Sequence, residues 1–257
     1  MFSGKVVLIT GASSGIGAET AREFSRLGAS LVLTGRNKEN LEMVSKNCEE
    51  ISSNKPVPLK IIADIKNEKD VENIIETTIK HFKKLDVLVN NAGIAASVTI
   101  ETTSLHQFDD IMQTNVRAPY YLTMLATPYL IRRKGNIVNV SSVGGLRAFP
   151  DFLAHCISKA ALDQFTRCVA LELASKGVRV NSVNPGDIIT GIHLKGSVSE
   201  HQYKAYLEKC KTIHPLGRIG EPNEVSSVIA FLASDAASNI TGSSLSVDGG
   251  RQAACPR

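Results

Sequence analysis

The stretch Val6-Val7-Leu8-Ile9-Thr10-Gly11-Ala12-Ser13-Ser14-Gly15-Ile16-Gly17 decides the fold. Its first five residues are apolar or β-branched and read as a strand. The glycines at 11, 15 and 17 read as a tight turn, and a run of helical period from Gly15 to Leu27 follows at once. Glycines in such a turn let the backbone approach an anion closely, and the helix N-terminus meets that anion with partial positive charge and open N–H groups. Strand, glycine loop and helix in that order predict the pyrophosphate floor of a dinucleotide-binding α/β fold.

Outward from this unit, short β-branched runs alternate with helical stretches, the pattern of parallel strands joined by crossover helices. Strands are expected at Val6–Thr10, Ser30–Leu33, Leu59–Ile62, Val87–Asn90, Asn136–Val140, Val178–Val183 and Leu245–Val247. Helices are expected at Gly15–Leu27, Lys38–Ser52, Asn67–His81, Ser104–Ile131 with a break near Pro119, Ala154–Ala174 and Asn223–Leu232. The strands are apolar on both sides, as a sheet covered by helices on both faces requires. The expectation is one doubly wound Rossmann-type α/β domain over residues 1–257, with a seven-stranded parallel sheet.

A long interruption separates the sixth strand from the helix at Asn223. It carries Gly186, Gly191 and Gly196 and then an amphipathic piece from Glu200 to Lys209. Long insertions at the carboxyl end of a strand hold ligands in open α/β sheets, so residues of about 186–215 are expected to form a substrate lid. Ile188, Ile189, Ile192, Leu194, Tyr203, Tyr206 and Leu207 favour a small apolar substrate there, although they could equally pack on the core. His193 and His214 are read as solvated loop residues.

Past Gly17 by 19 residues, where a carboxylate would receive a ribose 2'-hydroxyl, the chain reads Leu33-Thr34-Gly35-Arg36-Asn37. Gly35 removes the repulsive charge and Arg36 offers a forked donor for a 2'-phosphate, which favours NADP over NAD. The alternative is an ordinary solvated charge at Arg36. Asp64 could accept from an adenine amino group with Ile65 packed beside the ring, or it could cap a helix.

Bulk properties narrow the partners. Lys and Arg number 29 against 25 Asp and Glu, a net charge of +4 spread along the chain, and Trp is absent. No basic stripe interleaved with aromatics points to nucleic acid. Five cysteines, widely separated and odd in number, form neither a CxxC pair nor a disulfide pattern, which points to a reducing compartment. With no signal-peptide pattern and no apolar run long enough for a membrane span, the expected location is the cytoplasm, away from any membrane.

The motifs taken together resemble the short-chain dehydrogenase/reductase family, in particular its 3-oxoacyl-carrier-protein reductase-like members. They are Thr10-Gly11-x-x-x-Gly15-x-Gly17, Asn90-Asn91-Ala92-Gly93, Asn115, Ser141-Ser142, Lys159, Asn184-Pro185-Gly186 with Thr190, and the Ser246-Val247-Asp248-Gly249-Gly250 ending. The resemblance implies a cofactor site of Gly11, Ser13, Ser14, Gly15, Ile16, Gly17, Arg36, Asn37, Asp64, Ile65, Asn91, Ala92, Gly93, Lys159, Pro185, Gly186, Ile188 and Thr190. It also implies a homotetramer or at least a homodimer, and the apolar surplus of Ser104–Ile131 and Ala154–Ala174 fits burial against a second subunit.

The family's catalytic tetrad is Asn, Ser, Tyr and Lys, with Tyr four residues before Lys and Ser thirteen before Tyr. Here that implies Asn115, Ser142, position 155 and Lys159, and position 155 is histidine. In the family the tyrosine passes a proton to the substrate oxygen as hydride reaches the carbon, lysine lowers its pKa and holds the nicotinamide ribose, and serine polarises the carbonyl. Imidazole, with an ordinary pKa of about 6.5, is a general acid in principle. It reaches less far than a phenol, however, and a neighbouring Lys159 ammonium disfavours imidazolium. The sequence therefore predicts an NADP(H)-dependent oxidoreductase whose reduction of carbonyls is slowed by His155. The alternative is an NADP(H)-binding protein that has lost turnover and serves in sensing or scaffolding.

Overall fold

The computed structural model describes residues 1–52, 56–190, 208 and 210–254. Seven parallel strands form one sheet in the order β3-β2-β1-β4-β5-β6-β7. They are β1 Val6–Thr10, β2 Ser30–Gly35, β3 Leu59–Ile62, β4 Val87–Asn90, β5 Asn136–Val140, β6 Arg179–Pro185 and β7 Ser244–Val247. The main helices are α1 Gly15–Arg26, α2 Lys38–Ile51, α3 Glu68–Phe82, α4 Leu105–Met112, α5 Ala118–Arg133, α6 Leu153–Ala174 and α7 Pro222–Ala233. Most ends lie one or two residues from the sequence expectation.

The strand period of two splits β1 between the two faces of the sheet. Val7 and Ile9 join Leu31 and Leu33 in one core, closed by Ala21 and Phe24 of α1, Leu41 and Val44 of α2, and Val225 and Ile229 of α7. Val6 and Leu8 join Val32, Ile61 and Leu88 in the other, closed by Ile74 of α3, Leu122, Ala126 and Leu130 of α5, and Leu173 of α6. Every residue of β1 is buried, which only a sheet covered on both sides allows. The strand order reverses between β1 and β4, whose hydrogen-bonded register runs Val7 to Val87, Leu8 to Leu88 and Ile9 to Val89. At such a reversal the crossover helices leave in opposite directions, and a crevice opens beyond the strand carboxyl ends.

The stretch Ser104–Ile131 is helical with the expected break near Pro119. It is α4, then a π-helical turn over Gln113–Arg117, then α5. The break lies in the turn just before Pro119. Proline supplies no N–H to the Asn115 carbonyl one turn back. The chain answers with a wider loop in which Ala118 N–H donates to the Gln113 carbonyl. A capping box between Ser104 and Gln107 fixes where α4 begins.

His214, expected in solvent, is only 2% exposed, and its Nδ1 donates to the Cys210 carbonyl at 2.7 Å. Ile188, at the start of the expected lid, is 4% exposed and packs on the core while bridging to Gly220. The lid positions Gly191, Ile192, His193, Leu194, Gly196, Tyr203, Tyr206 and Leu207 lie outside the described residues. No helix among the described residues is long and apolar enough to cross a membrane.

Candidate active site

A cleft of about 620 Å³ lies across the carboxyl ends of the strands at the point where their order reverses. That volume suits a substantial ligand, since small-molecule sites span about 300–1,000 Å³. Its lining includes Gly11, Ser13, Ser14, Gly15, Ile16, Arg36, Asn37, Asp64, Ile65, Asn91, Ala92, Gly93, Ser142, His155, Lys159, Pro185, Gly186, Ile188 and Thr190. Of the catalytic and cofactor-site residues implied from sequence, Gly17 and Asn115 are the two that do not line it.

Gly17 works beneath the floor. A Cβ there would lie 2.4 Å from both the Gly11 carbonyl oxygen and Asn91 Nδ2, so the turn closes only around hydrogen. Gly11 adopts φ +64 with the Ala92 backbone 2.9 Å from where its Cβ would be. Asn91 Nδ2 donates to the Thr10 carbonyl at 2.8 Å, and Thr10 Oγ1 accepts from the Asn91 and Ala92 N–H groups at 3.0 Å each. A single hydroxyl thus ties the end of β1 to the loop after β4. Ser14, the residue ahead of α1, makes no side-chain cap, so its helix presents uncapped N–H groups at the cleft.

At the far end of the floor, the tip of β2 carries no carboxylate, and a Cβ on Gly35 would sit 3.1 Å from Ser13 Oγ, a tight contact that the hydroxyl would have to yield to. Arg36 is exposed and lies 3.8 Å from Asp64 Oδ2, a weak surface pair that holds the guanidinium at the cleft mouth. Asn37 Oδ1 accepts from Asn40 N–H and caps α2. Asp64 Oδ1 accepts from Lys66 N–H, while the cap of α3 is Asn67 rather than Asp64.

The opposite end is built from buried side chains. On α6, residues 155, 159 and 163 follow one another at a spacing of four and share a face. Lys159 is 5% exposed and its Nζ donates to the Val140 carbonyl at 2.8 Å. Burial pulls its pKa down to about 8, against the opposing attraction of Asp163. Asp163 is itself buried, and it accepts from Ser182 Oγ at 3.0 Å and Asn184 Nδ2 at 2.8 Å. Burial raises its pKa, with those hydrogen bonds opposing. Sequence reading missed Asp163, although its position one turn beyond Lys159 was the available signal.

Asn115 is fully buried. Its Oδ1 accepts from Ile94 N–H at 2.8 Å, and its Nδ2 donates to the Ile94 carbonyl at 2.8 Å and to Ser158 Oγ at 3.0 Å. Gly93 separates it from Lys159, because a Cβ at 93 would lie 3.2 Å from Asn115 Oδ1 and 3.4 Å from Lys159 Nζ. Ser142 faces the cleft while its Oγ accepts from Gly144 N–H at 3.0 Å, so it both lines the site and caps a turn. Its hydroxyl proton still has a bond to give.

His155 Nδ1 lies 3.3 Å from the Ile94 carbonyl oxygen, and its ring meets Phe152 edge-on at 6.4 Å. Burial, and then the Lys159 ammonium, lower its pKa to about 4. The arrangement therefore joins an anion-binding floor to a buried lysine, a serine and an imidazole.

Comparison with known proteins places these features among relatives. The sequence profile described as enoyl-(acyl carrier protein) reductase matches residues 11–252. A 3-oxoacyl-[acyl-carrier-protein] reductase of Thermotoga maritima is 37% identical over 248 residues, covering 96% of this chain and 97% of that protein. The L-xylulose reductase of Caenorhabditis elegans is 37% identical over 251 residues, covering 97% and 96% respectively. Among solved structures, a 3-ketoacyl-(acyl-carrier-protein) reductase from Brucella melitensis complexed with NADH superposes with a TM-score of 0.87 at 34% identity, covering 97% of this chain and 99% of that one.

Proposed function

The chain belongs to the short-chain dehydrogenase/reductase family of oxidoreductases, and on that footing we propose that it uses NADP(H), in preference to NAD(H), to interconvert small apolar carbonyl compounds and secondary alcohols. One observation carries this reading. A single cleft runs from a carboxylate-free β2 tip with a guanidinium at its mouth to a buried Lys159 beside Ser142 and His155.

The residues present fit a nicotinamide dinucleotide. The Gly11–Gly17 loop brings backbone and an uncapped helix end to where a pyrophosphate needs them. Arg36 would take the 2'-phosphate, Asp64 and Ile65 the adenine, Asn91, Ala92 and Gly93 the middle of the cofactor, and Pro185, Gly186, Ile188 and Thr190 its nicotinamide end. The bound cofactor supplies or accepts the hydride. Lys159 would hold the ribose and polarise the site, Ser142 would orient the substrate oxygen through its free hydroxyl proton, and Asn115 would support Lys159 from beneath Gly93.

His155 stands where the family places its proton donor. A neutral imidazole donates poorly, and losing general acid assistance costs about 10²- to 10⁴-fold in rate. Carbonyl reduction at neutral pH is accordingly weak, and it quickens toward acid. Titration calorimetry with NADPH and NADH, followed by a panel of diketones and quinones, tests this reading. Tighter binding of the 2'-phosphorylated cofactor with slow turnover supports it. Equal affinity for both removes the Arg36 assignment, and binding with no turnover at any pH converts the protein into a cofactor-binding sensor or scaffold.

Tyr120 and Met124 of α5 and Ile157 and Leu171 of α6 remain exposed, which supports assembly into a homodimer or homotetramer. Light scattering on the purified chain measures that state directly.

A further inference from the structure

Behind the Gly186 wall of the cleft, side chains from two separate stretches of the chain converge. Asp187 follows β6, while Cys210 and His214 are four residues apart, at the start and just past the end of a helical turn that precedes α7. The Asp187 carboxylate, the Cys210 sulfur and a His214 ring nitrogen all lie within 4.8 Å of one another. Among the described residues, no other three His, Cys, Asp or Glu side chains form such a group. Cys210 and His214 are buried, and the partly exposed Asp187 gives the cluster its opening to solvent.

The His214 ring decides what the cluster calls for. A carbonyl oxygen only accepts, so Nδ1 carries the hydrogen that meets the Cys210 carbonyl at 2.7 Å, and Nε2 keeps a lone pair. Nε2 is buried without a hydrogen-bond partner and lies 3.5 Å from Asp187 Oδ2, itself an acceptor. Buried acceptors that face each other are stabilised by a cation between them. A proton joins two atoms, whereas three converging ligand atoms fit a metal ion. Glycine keeps the space open, because a Cβ at 186 would stand 3.3 Å from Nε2. The outer partners suit a metal as well. Ligating histidines donate their other ring N–H to a carbonyl, as His214 does, and ligating carboxylates are themselves hydrogen-bonded, as Asp187 is by Arg251. Arg251 is held in turn over the Phe149 ring at 4.5 Å.

We propose that Asp187, Cys210 and His214 form a zinc site with three protein ligands and a fourth position open to water. Thiolate, imidazole and carboxylate are the donors that Zn²⁺ takes, whereas Mg²⁺ and Ca²⁺ take oxygen. On binding, the metal replaces the Cys210 S–H proton, which leaves to solvent. The ion ties the chain leaving β6 to the turn ahead of α7 and closes the loop between residues 187 and 210. Gly186, which lines the cleft, stands between the ion and the cofactor site, so the metal braces that wall and takes no part in hydride transfer. The proposal is therefore independent of the oxidoreductase reading.

Cobalt reports the site, because a thiolate on tetrahedral Co²⁺ gives a charge-transfer absorption that oxygen and nitrogen ligands do not. Titrating CoCl₂ into the tag-free full chain under reducing conditions should raise that band to saturation at a single ion per chain. ZnCl₂ should abolish the band, and an excess of MgCl₂ should leave it. No band overturns the proposal and leaves a proton between His214 and Asp187; displacement by Mg²⁺ overturns it too. Zn²⁺ at about 100 times its Kd should raise Tm by about 5 °C, reversibly with EDTA, and an unchanged Tm overturns the bracing role. Cys210→Ser should lose the band, while Cys168→Ser, at an exposed cysteine, should keep it. A band that survives Cys210→Ser overturns the assignment. If Cys210→Ser does not fold, Asp187→Asn at the partly exposed rim decides: Co²⁺ affinity should fall by about tenfold or more, and unchanged affinity overturns the site.

Discussion

The two ends of the cleft are made of different material. The floor at the β1 exit is backbone: glycines, open N–H groups and one threonine hydroxyl hold it, and the charged side chains at its mouth, Arg36 and Asp64, form a solvent-accessible pair. The far end is a cluster of buried ionisable groups, Lys159, Asp163 and His155, each shifted by desolvation away from its ordinary pKa. A backbone site buries no charge and costs little to keep in the folded state. A site of buried charges opposes folding, and its side chains are retained for what they do to a ligand.

The largest effect separating the two ends is expected at Lys159. Lys159→Met should lower turnover by about 10²- to 10⁴-fold and at the same time raise stability by on the order of 1–3 kcal/mol, because it removes a desolvated ammonium. Rates and a denaturant titration on the same preparation check both signs, and a variant that is slower and also less stable breaks the contrast. Next comes His155→Tyr, expected to raise carbonyl reduction at pH 7 by about 100-fold with dinucleotide affinity unchanged within about twofold. Stopped-flow oxidation of NADPH measures it.

Arg36→Ala, at the backbone end, should reduce the preference for NADPH over NADH by about 10- to 100-fold without touching stability, since a charge-assisted contact to phosphate is worth about 1.5–3 kcal/mol. Competitive calorimetry decides this. The smallest expected effect is on acid stability. The pKa of His155 falls from an ordinary 6.5 when unfolded to about 4 when folded, so between those values the unfolded chain takes up a proton that the folded chain refuses. Stability is complete above pH 6.5 and is lost as pH drops toward 4, by on the order of 2 kcal/mol. The His155→Phe variant should lose that part of the acid sensitivity in thermal melts at pH 7 and pH 4.5, and an unaltered difference would return the ring to solvent.

The same contrast explains what could be read from sequence. The floor is local in the chain, so spacing alone placed Gly11, Gly15, Arg36 and Asp64 around one cleft. Both cores followed from the period of two in strands such as β1 and from apolar spacing in the helices. The far end joins residues separated by dozens of positions, and its links are hydrogen bonds that no periodicity encodes. Asn115 reaching Ile94 and Ser158, or Asp163 reaching Ser182 and Asn184, left no spacing signature beyond the turn of helix between Lys159 and Asp163. His214 was misread because a histidine in a loop resembles a solvated one until its carbonyl partner a turn away is known.

The π-helical turn at Gln113–Arg117 puts α4 and α5 out of phase by one residue. Each residue advances an α-helix by about 100°, so excising Gln113 would let the helix anneal into an unbroken rod and swing Asn115 away from Ile94. The imidazole across the cleft would lose its alignment although every residue named in the site was still present. The length of this segment, as much as its composition, is what the site depends on.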